Sequence, residues 1–143
     1  MCRLMQASAI ALGVGAFFVS PAFGQRALDA RDVKLYGGSY SAKCGNPSAP
    51  HLTVNTDALT VEQGKKRLTG RNVSSMASYF GQSGPPNFLT ALLADVRPNV
   101  AVTFLVYRDK AGQYITLDGH PKVVAALGKG LTSLKYRRCS SPS

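Results

Sequence analysis

The sequence predicts an α+β domain: an antiparallel sheet of about five strands, with a C-terminal helix packed on one face and one disulfide. Three observations predict it. β-Branched and aromatic runs recur between Gly, Asn, Asp and Pro turns from Ser39 to Leu117. Val123, Leu127, Leu131 and Leu134 then follow Pro121 as an apolar stripe at helical spacing. Cys44 and Cys139 lie near the two ends of the segment that carries these elements.

Residues 1–24 read as an export signal and stand outside the fold. Met1-Cys2-Arg3 is a short positive start, and Ala7 to Val19 is apolar except for Ser8, the length of a signal core rather than of a bilayer span. Ser20-Pro21 ends that run, and Ala22 and Gly24 supply small residues for cleavage before Gln25. Cys2 precedes the apolar run, so the lipoprotein arrangement is missing. The expected mature chain, residues 25–143, is a single domain of 119 residues that is periplasmic or secreted. With Cys2 removed, Cys44 and Cys139 are the only thiols in an oxidising compartment and are expected to pair. No C-x-x-C pair is present, and neither cysteine stands at metal-ligand spacing from His51 or His120.

From Ala27 to Tyr36, Leu28 and Leu35 suggest a short helix ending at Gly37-Gly38. Ser39 to Cys44 alternates as a strand, and Cys44-Gly45-Asn46-Pro47 is a turn. Leu52-Thr53-Val54 and Leu59-Thr60-Val61-Glu62 form a meander across Asn55-Thr56-Asp57, and Gln63 to Lys66 turns the chain into Arg67-Leu68. Asn72 to Phe80 fits a helical stripe through Val73, Met76 and Phe80, and fits an edge strand equally well. Gly81 to Pro86 is loop, because two glycines and two prolines in six residues sustain neither helix nor ladder. Phe88 to Val96 contains good helix formers, yet the Arg97-Pro98-Asn99 turn and the β-type run behind it favour a hairpin. Val100 to Tyr107 is apolar on both faces, as a central strand covered on both sides would be. Asp109 to Gly112 is a turn, Gln113 to Leu117 a strand, and Gly128 and Gly130 interrupt the helix that Pro121 starts.

Function is read first from what is missing. The 143 residues hold 17 Lys+Arg, 7 Asp+Glu and two histidines, at 45% hydrophobic and 17% charged. That composition is globular and excludes a multidomain enzyme, a collagen-like fibre and a polytopic membrane protein. Asp118 and His120 suggest a proton-transfer pair, but Gly119 and Pro121 explain the segment as a turn leading into a helix. No G-x-S-x-G elbow or S-x-x-K motif surrounds a serine, the carboxylates are scattered singly, and no phosphate-cradling glycine loop occurs. A catalytic residue, a metal site and a cofactor are therefore not expected.

The basic excess remains. Without the leader, 16 basic and 7 acidic residues leave a charge of +9. Lys65, Lys66 and Arg67 stand on one turn, Arg108 and Lys110 on another, and Lys135, Arg137 and Arg138 beside Cys139. The bland account is a solvated, solubilising surface. The functional account is attraction to an anionic partner: lipid phosphate at a membrane surface, an acidic glycan or an acidic protein. Nucleic acid is disfavoured by compartment, although Tyr79, Phe80 and Phe88 could stack bases. The loop from Ser78 to Phe88, with Tyr79, Phe80 and Phe88, is the candidate protein-binding protrusion, unless its rings tuck back onto the sheet.

The run FLTALLADVRPNVAVTFLVYRDKAGQYITL, Phe88 to Leu117, resembles the central sheet of the periplasmic lysozyme-inhibitor proteins over about thirty residues, by pattern rather than motif. The resemblance implies an inhibitor or immunity-type protein that blocks a cell-wall hydrolase. The branch acting on vertebrate lysozymes holds its active loop, with a histidine, between two nearby cysteines. Arg97-Pro98-Asn99 stands at that turn here, so no inhibitory residue carries over. A charge of +9 also repels basic lysozymes. In general character the chain resembles small secreted proteins of proteobacteria. The expected function is thus an exported, non-enzymatic binding protein for an acidic envelope or extracellular partner, with a hydrolase inhibitor as the alternative.

Overall fold

The computed structural model describes residues 26–140, so the expected export signal and its expected cleavage point lie outside the described residues. The elements are β1 (Arg26–Ala27), α1 (Ala30–Tyr36), β2 (Gly38–Ser41), β3 (His51–Val54), β4 (Ala58–Gln63) and β5 (Lys66–Met76). They continue with β6 (Phe88–Arg97), β7 (Val100–Asp109), β8 (Gly112–Gly119), α2 (Pro121–Leu127), α3 (Lys129–Thr132) and β9 (Tyr136–Arg138). From β2 to β9 each strand pairs antiparallel with the next, and β9 returns to pair with β2. The result is a closed eight-stranded up-and-down barrel, with β1 added alongside β5 at Ser74 and Ser75.

This overturns the expected α+β arrangement of about five strands with a helix on one face. A sheet of eight twisted strands removes its exposed edges by closing on itself, and its apolar face then lines an interior that no helix needs to cover. The helical stripe is instead split at Gly128 (φ 79°) into α2 and α3, which lie across one end of the barrel. Val123, Leu127 and Leu131 are buried in the same core as the strands. Lys66 Nζ donates to the Ala126 carbonyl at 3.2 Å, fastening the β4–β5 turn to α2. At the opposite end sits α1, started by Asp29, which accepts from the Asp32 amide at 2.9 Å.

Strict alternation puts Tyr40, Leu52, Val54, Leu59, Val61, Leu92, Ala94, Val102, Phe104, Val106, Ile115 and Tyr136 in the barrel core. At eight strands the interior is narrow enough for such side chains to fill it. The two tyrosines of the barrel core satisfy their hydroxyls: Tyr40 donates to the Tyr36 carbonyl at 2.7 Å and Tyr136 to the Leu131 carbonyl at 2.8 Å. Closure between β5 and β6 depends on small residues, since a side chain on Gly70 would meet the Ala94 Cβ at 2.6 Å. Just beyond, Asn72 (φ 54°) sits where the β5–β6 register shifts. The strand alternative therefore holds for Asn72–Met76: Val73 joins the barrel core and Met76 a separate cluster, on opposite faces of the strand. Phe88 to Val96 is likewise strand, within β6.

Burial gives the barrel a pH limit. The Tyr136 phenol is pushed from its ordinary value of 10.0 up to about 12 by burial, and burial raises Tyr40 as well. Folding thus favours the neutral phenols; that stabilisation is complete below pH about 10 and is lost as pH rises through about 12. Urea midpoints measured across this window should fall steeply for the wild type. Tyr136→Phe should lose about 1 kcal/mol at neutral pH with the hydrogen bond, and its midpoint should fall less steeply above pH 10.

Candidate functional site

The residue register places one row of side chains across the outer surface of four adjacent strands. Phe88 of β6 is opposite Tyr107 of β7, Tyr107 opposite Tyr114 of β8, and Tyr114 opposite Arg137 of β9. Phe88 and Tyr107 meet edge to face with centroids 5.8 Å apart, while Tyr107 and Tyr114 stack at 5.2 Å and 13°. The Lys135 ammonium and the Arg137 guanidinium each lie 4.8 Å from the Tyr114 centroid, within cation–π range. At the other end, Tyr79 packs on Phe88 at 5.3 Å and Phe80 on Tyr79 at 5.1 Å. Beneath the rings, Met76, Ala91 and Leu105 form a second buried cluster outside the barrel. This explains why Val100 to Tyr107 is apolar on both faces: its outer face is covered by these rings, not by a helix.

The loop that supplies Tyr79 and Phe80 is held by its own backbone. Tyr79 and Gln82 exchange both amide–carbonyl bonds at 3.0 Å, and the Gly81 amide donates to Ser78 Oγ at 3.1 Å. Phe80 takes the left-handed conformation (φ 50°) at this turn and is 46% exposed. Gly84 is required because a Cβ there would run into the Phe88 ring. Both readings of the loop therefore apply to different residues: Tyr79 and Phe88 tuck onto the sheet, and Phe80 projects.

Of the C-terminal basic cluster, two members face the row. Lys135 is exposed, and Arg137 is fixed by two bonds of 2.7 Å to the Asp109 carboxylate. That pairing, helped by the Ala111 amide, pushes the Asp109 carboxyl down to about 2. Arg138 is directed to the helix end instead, donating to the carbonyls of Leu35 (3.1 Å) and Gly37 (2.8 Å), where a cation suits the C-terminal dipole of α1. The disulfide between Cys44 and Cys139 is present, with Cα atoms 5.5 Å apart, and brings the loop after β2 onto β9.

Lys65, Lys66 and Arg67 occupy the β4–β5 turn, at the α2 end of the barrel and away from the aromatic row. Arg67 pairs with Glu62 at 3.1 Å, and Glu62 reaches His51 Nε2 at 2.8 Å. His120 caps α2 by accepting the Lys122 amide at Nδ1 (3.2 Å), which places the proton of its neutral ring on Nε2. Asp118 turns to the Gly119 amide at 2.8 Å. Each member of the imagined proton-transfer pair thus serves the backbone. Among the described residues, no group of three His, Cys, Asp or Glu is placed to hold a metal.

The residues overlooked in the sequence are Tyr107 and Tyr114, which join the loop to the basic end. A signal for them existed: a two-residue turn at Lys110-Ala111 pairs Asp109 with Gly112 and hence Tyr107 with Tyr114. No protein-family model, curated protein or solved structure matches this chain.

Proposed function

We propose that the protein is an exported, non-enzymatic binding protein that holds an acidic envelope or extracellular partner against the outer face of β6–β9. One observation carries this reading: residues singled out separately, Tyr79, Phe80 and Phe88 in a loop and Lys135 and Arg137 near the C-terminus, lie along one continuous row. Phe80 is exposed at one end of the row and Lys135 at the other, so the same face offers a partner an apolar ring and a cation. The disulfide supports an oxidising compartment.

Retention of the mature chain on immobilised heparin, an acidic glycan, tests the face. Lys135→Gln and Phe80→Ala should each elute at lower salt than wild type, whereas Lys65→Gln, which removes an equal charge at the far end, should elute as wild type. Equal shifts for Lys135→Gln and Lys65→Gln, with none for Phe80→Ala, would reduce the attraction to net charge alone. The inhibitor reading is favoured by the projecting Phe80 on a braced loop, which is shaped to enter a hydrolase cleft. It predicts loss of inhibition in Phe80→Ala.

A further inference from the structure

At the barrel end occupied by α1, the β7–β8 turn and the end of β9 enclose a depression of about 540 Å³ walled by Arg108, Gln113, Arg137, Arg138, Cys139 and Ser140. Its three arginines are held in different ways. Arg137 is neutralised by the bidentate Asp109 carboxylate. Arg138 is bound to two neutral backbone oxygens, so its position is fixed and its charge uncompensated by those contacts. Arg108 makes one long contact, 3.5 Å, to the neutral Gln113 amide oxygen and is otherwise exposed. Gln113 in turn is anchored through its amide nitrogen to the buried Tyr40 hydroxyl. Two guanidinium charges thus line one concave wall with donors to spare, each guanidinium carrying five N–H groups.

We propose that this depression binds a phosphate monoester. The charge match favours a dianion, because a carboxylate would answer only one of the two arginines, and tetrahedral oxyanions accept the paired N–H groups of arginine. The depression is open and broader than a phosphate ion, which leaves room beside the phosphate for the body of a monoester. Arg137 is shared between this wall and the aromatic row through Tyr114, so that body lies towards the same outer face. The inference rests on the reading of that face as a binding surface and names phosphate as the acidic group it recognises.

The test is calorimetric and NMR titration of the mature chain with inorganic phosphate, acetate, glucose 6-phosphate, and phosphatidylcholine vesicles containing phosphatidic acid. Saturable binding of inorganic phosphate, with shifts at Gln113 and Ser140, is expected. Arg108→Gln should weaken it roughly tenfold, Arg108→Lys should weaken it less, and Lys65→Gln should leave it unchanged. Tighter binding of the sugar phosphate assigns a soluble source, and tighter binding of the vesicles assigns a lipid headgroup; both support phosphate recognition. Acetate binding as tightly as phosphate, absence of saturation, or equal weakening by Arg108→Gln and Lys65→Gln overturns it. If phosphate fails to bind while heparin retention still depends on Phe80 and Lys135, this inference alone falls. If heparin retention is insensitive to both residues, the underlying reading of the face falls with it.

Discussion

Replacing Cys44 and Cys139 together by serine is expected to lower the unfolding free energy by about 4 to 5 kcal/mol. The bridge spans 95 residues, and closing so long a loop restricts the unfolded chain strongly in the chain-entropy account. Its position adds a reason within the folded state. β9 is joined to β2 through only Tyr40↔Arg138 and Ser41↔Arg137, and to β8 through Tyr114↔Arg137 and Ile115↔Tyr136. The Cys139 amide continues the first seam by donating to the Ser39 carbonyl at 2.9 Å. The disulfide therefore fastens the shortest of the eight barrel strands where the barrel closes. A loss of this size is a third or more of the stability of many domains. Urea denaturation of the double serine variant should show a greatly lowered midpoint; a change below about 1 kcal/mol would mean that β9 holds the barrel shut without the bridge.

The second large effect is expected at the centre of the barrel. Phe104 is fully buried on β7 between its register partners Leu92 and Leu117. Phe104→Ala should cost about 3 to 5 kcal/mol, combining lost apolar burial with the cavity left behind. Because strands surround the site and helices stopper the ends, neighbours have little freedom to collapse into the gap. At about 4 °C per kcal/mol, the melting temperature should drop by about 10 to 20 °C. Phe80→Ala provides the contrast: that ring is 46% exposed, and its removal should change stability by no more than about 0.5 kcal/mol. Thermal scans of the two variants separate the aromatic residue that builds the barrel from the one available to a partner. Similar losses for both would place Phe80 in the structural core of the second cluster.

Local chemistry made most strands legible. Leu52–Val54, Leu59–Glu62 and Val100–Tyr107 are β-branched runs between turn residues, and all are strands. The short helix before Gly37 and the break at Gly128 were legible for the same local reason. Closure was not, because it is a long-range property carried by inconspicuous residues. The β5–β6 seam uses Gly70 and Ala94, whose contribution is to be small, in a stretch where Val73, Met76 and Phe80 imitate a helical stripe. The β2–β9 seam is so short that three residues, Tyr136 to Arg138, decide it. Without closure, the apolar stripe of Val123, Leu127 and Leu131 called for a sheet face and not a barrel end.

The candidate site was legible as fragments. Tyr79, Phe80 and Phe88 stood out as aromatics in a proline-rich loop, and Lys135 and Arg137 as charges near a cysteine. Their union depends on register, and a slip of one residue would turn Tyr107 and Tyr114 into the barrel. Arg138 illustrates the same sensitivity. It neighbours Arg137 in sequence but pairs with the inward-facing Tyr40, so it serves α1 and not the outer row.

Docking of a partner on the outer face of β6–β9 can be read out by affinity capture from periplasmic extract with matched baits. Wild-type mature chain, a Phe80→Ala/Lys135→Gln variant and a Lys65→Gln/Lys66→Gln variant would be compared at the same ionic strength. A protein or glycan is expected to be retained by the wild type and by the Lys65/Lys66 variant and lost from the Phe80/Lys135 variant. Retention by the Phe80/Lys135 variant, with loss from the Lys65/Lys66 variant, would contradict it and move the binding face to the α2 end of the barrel.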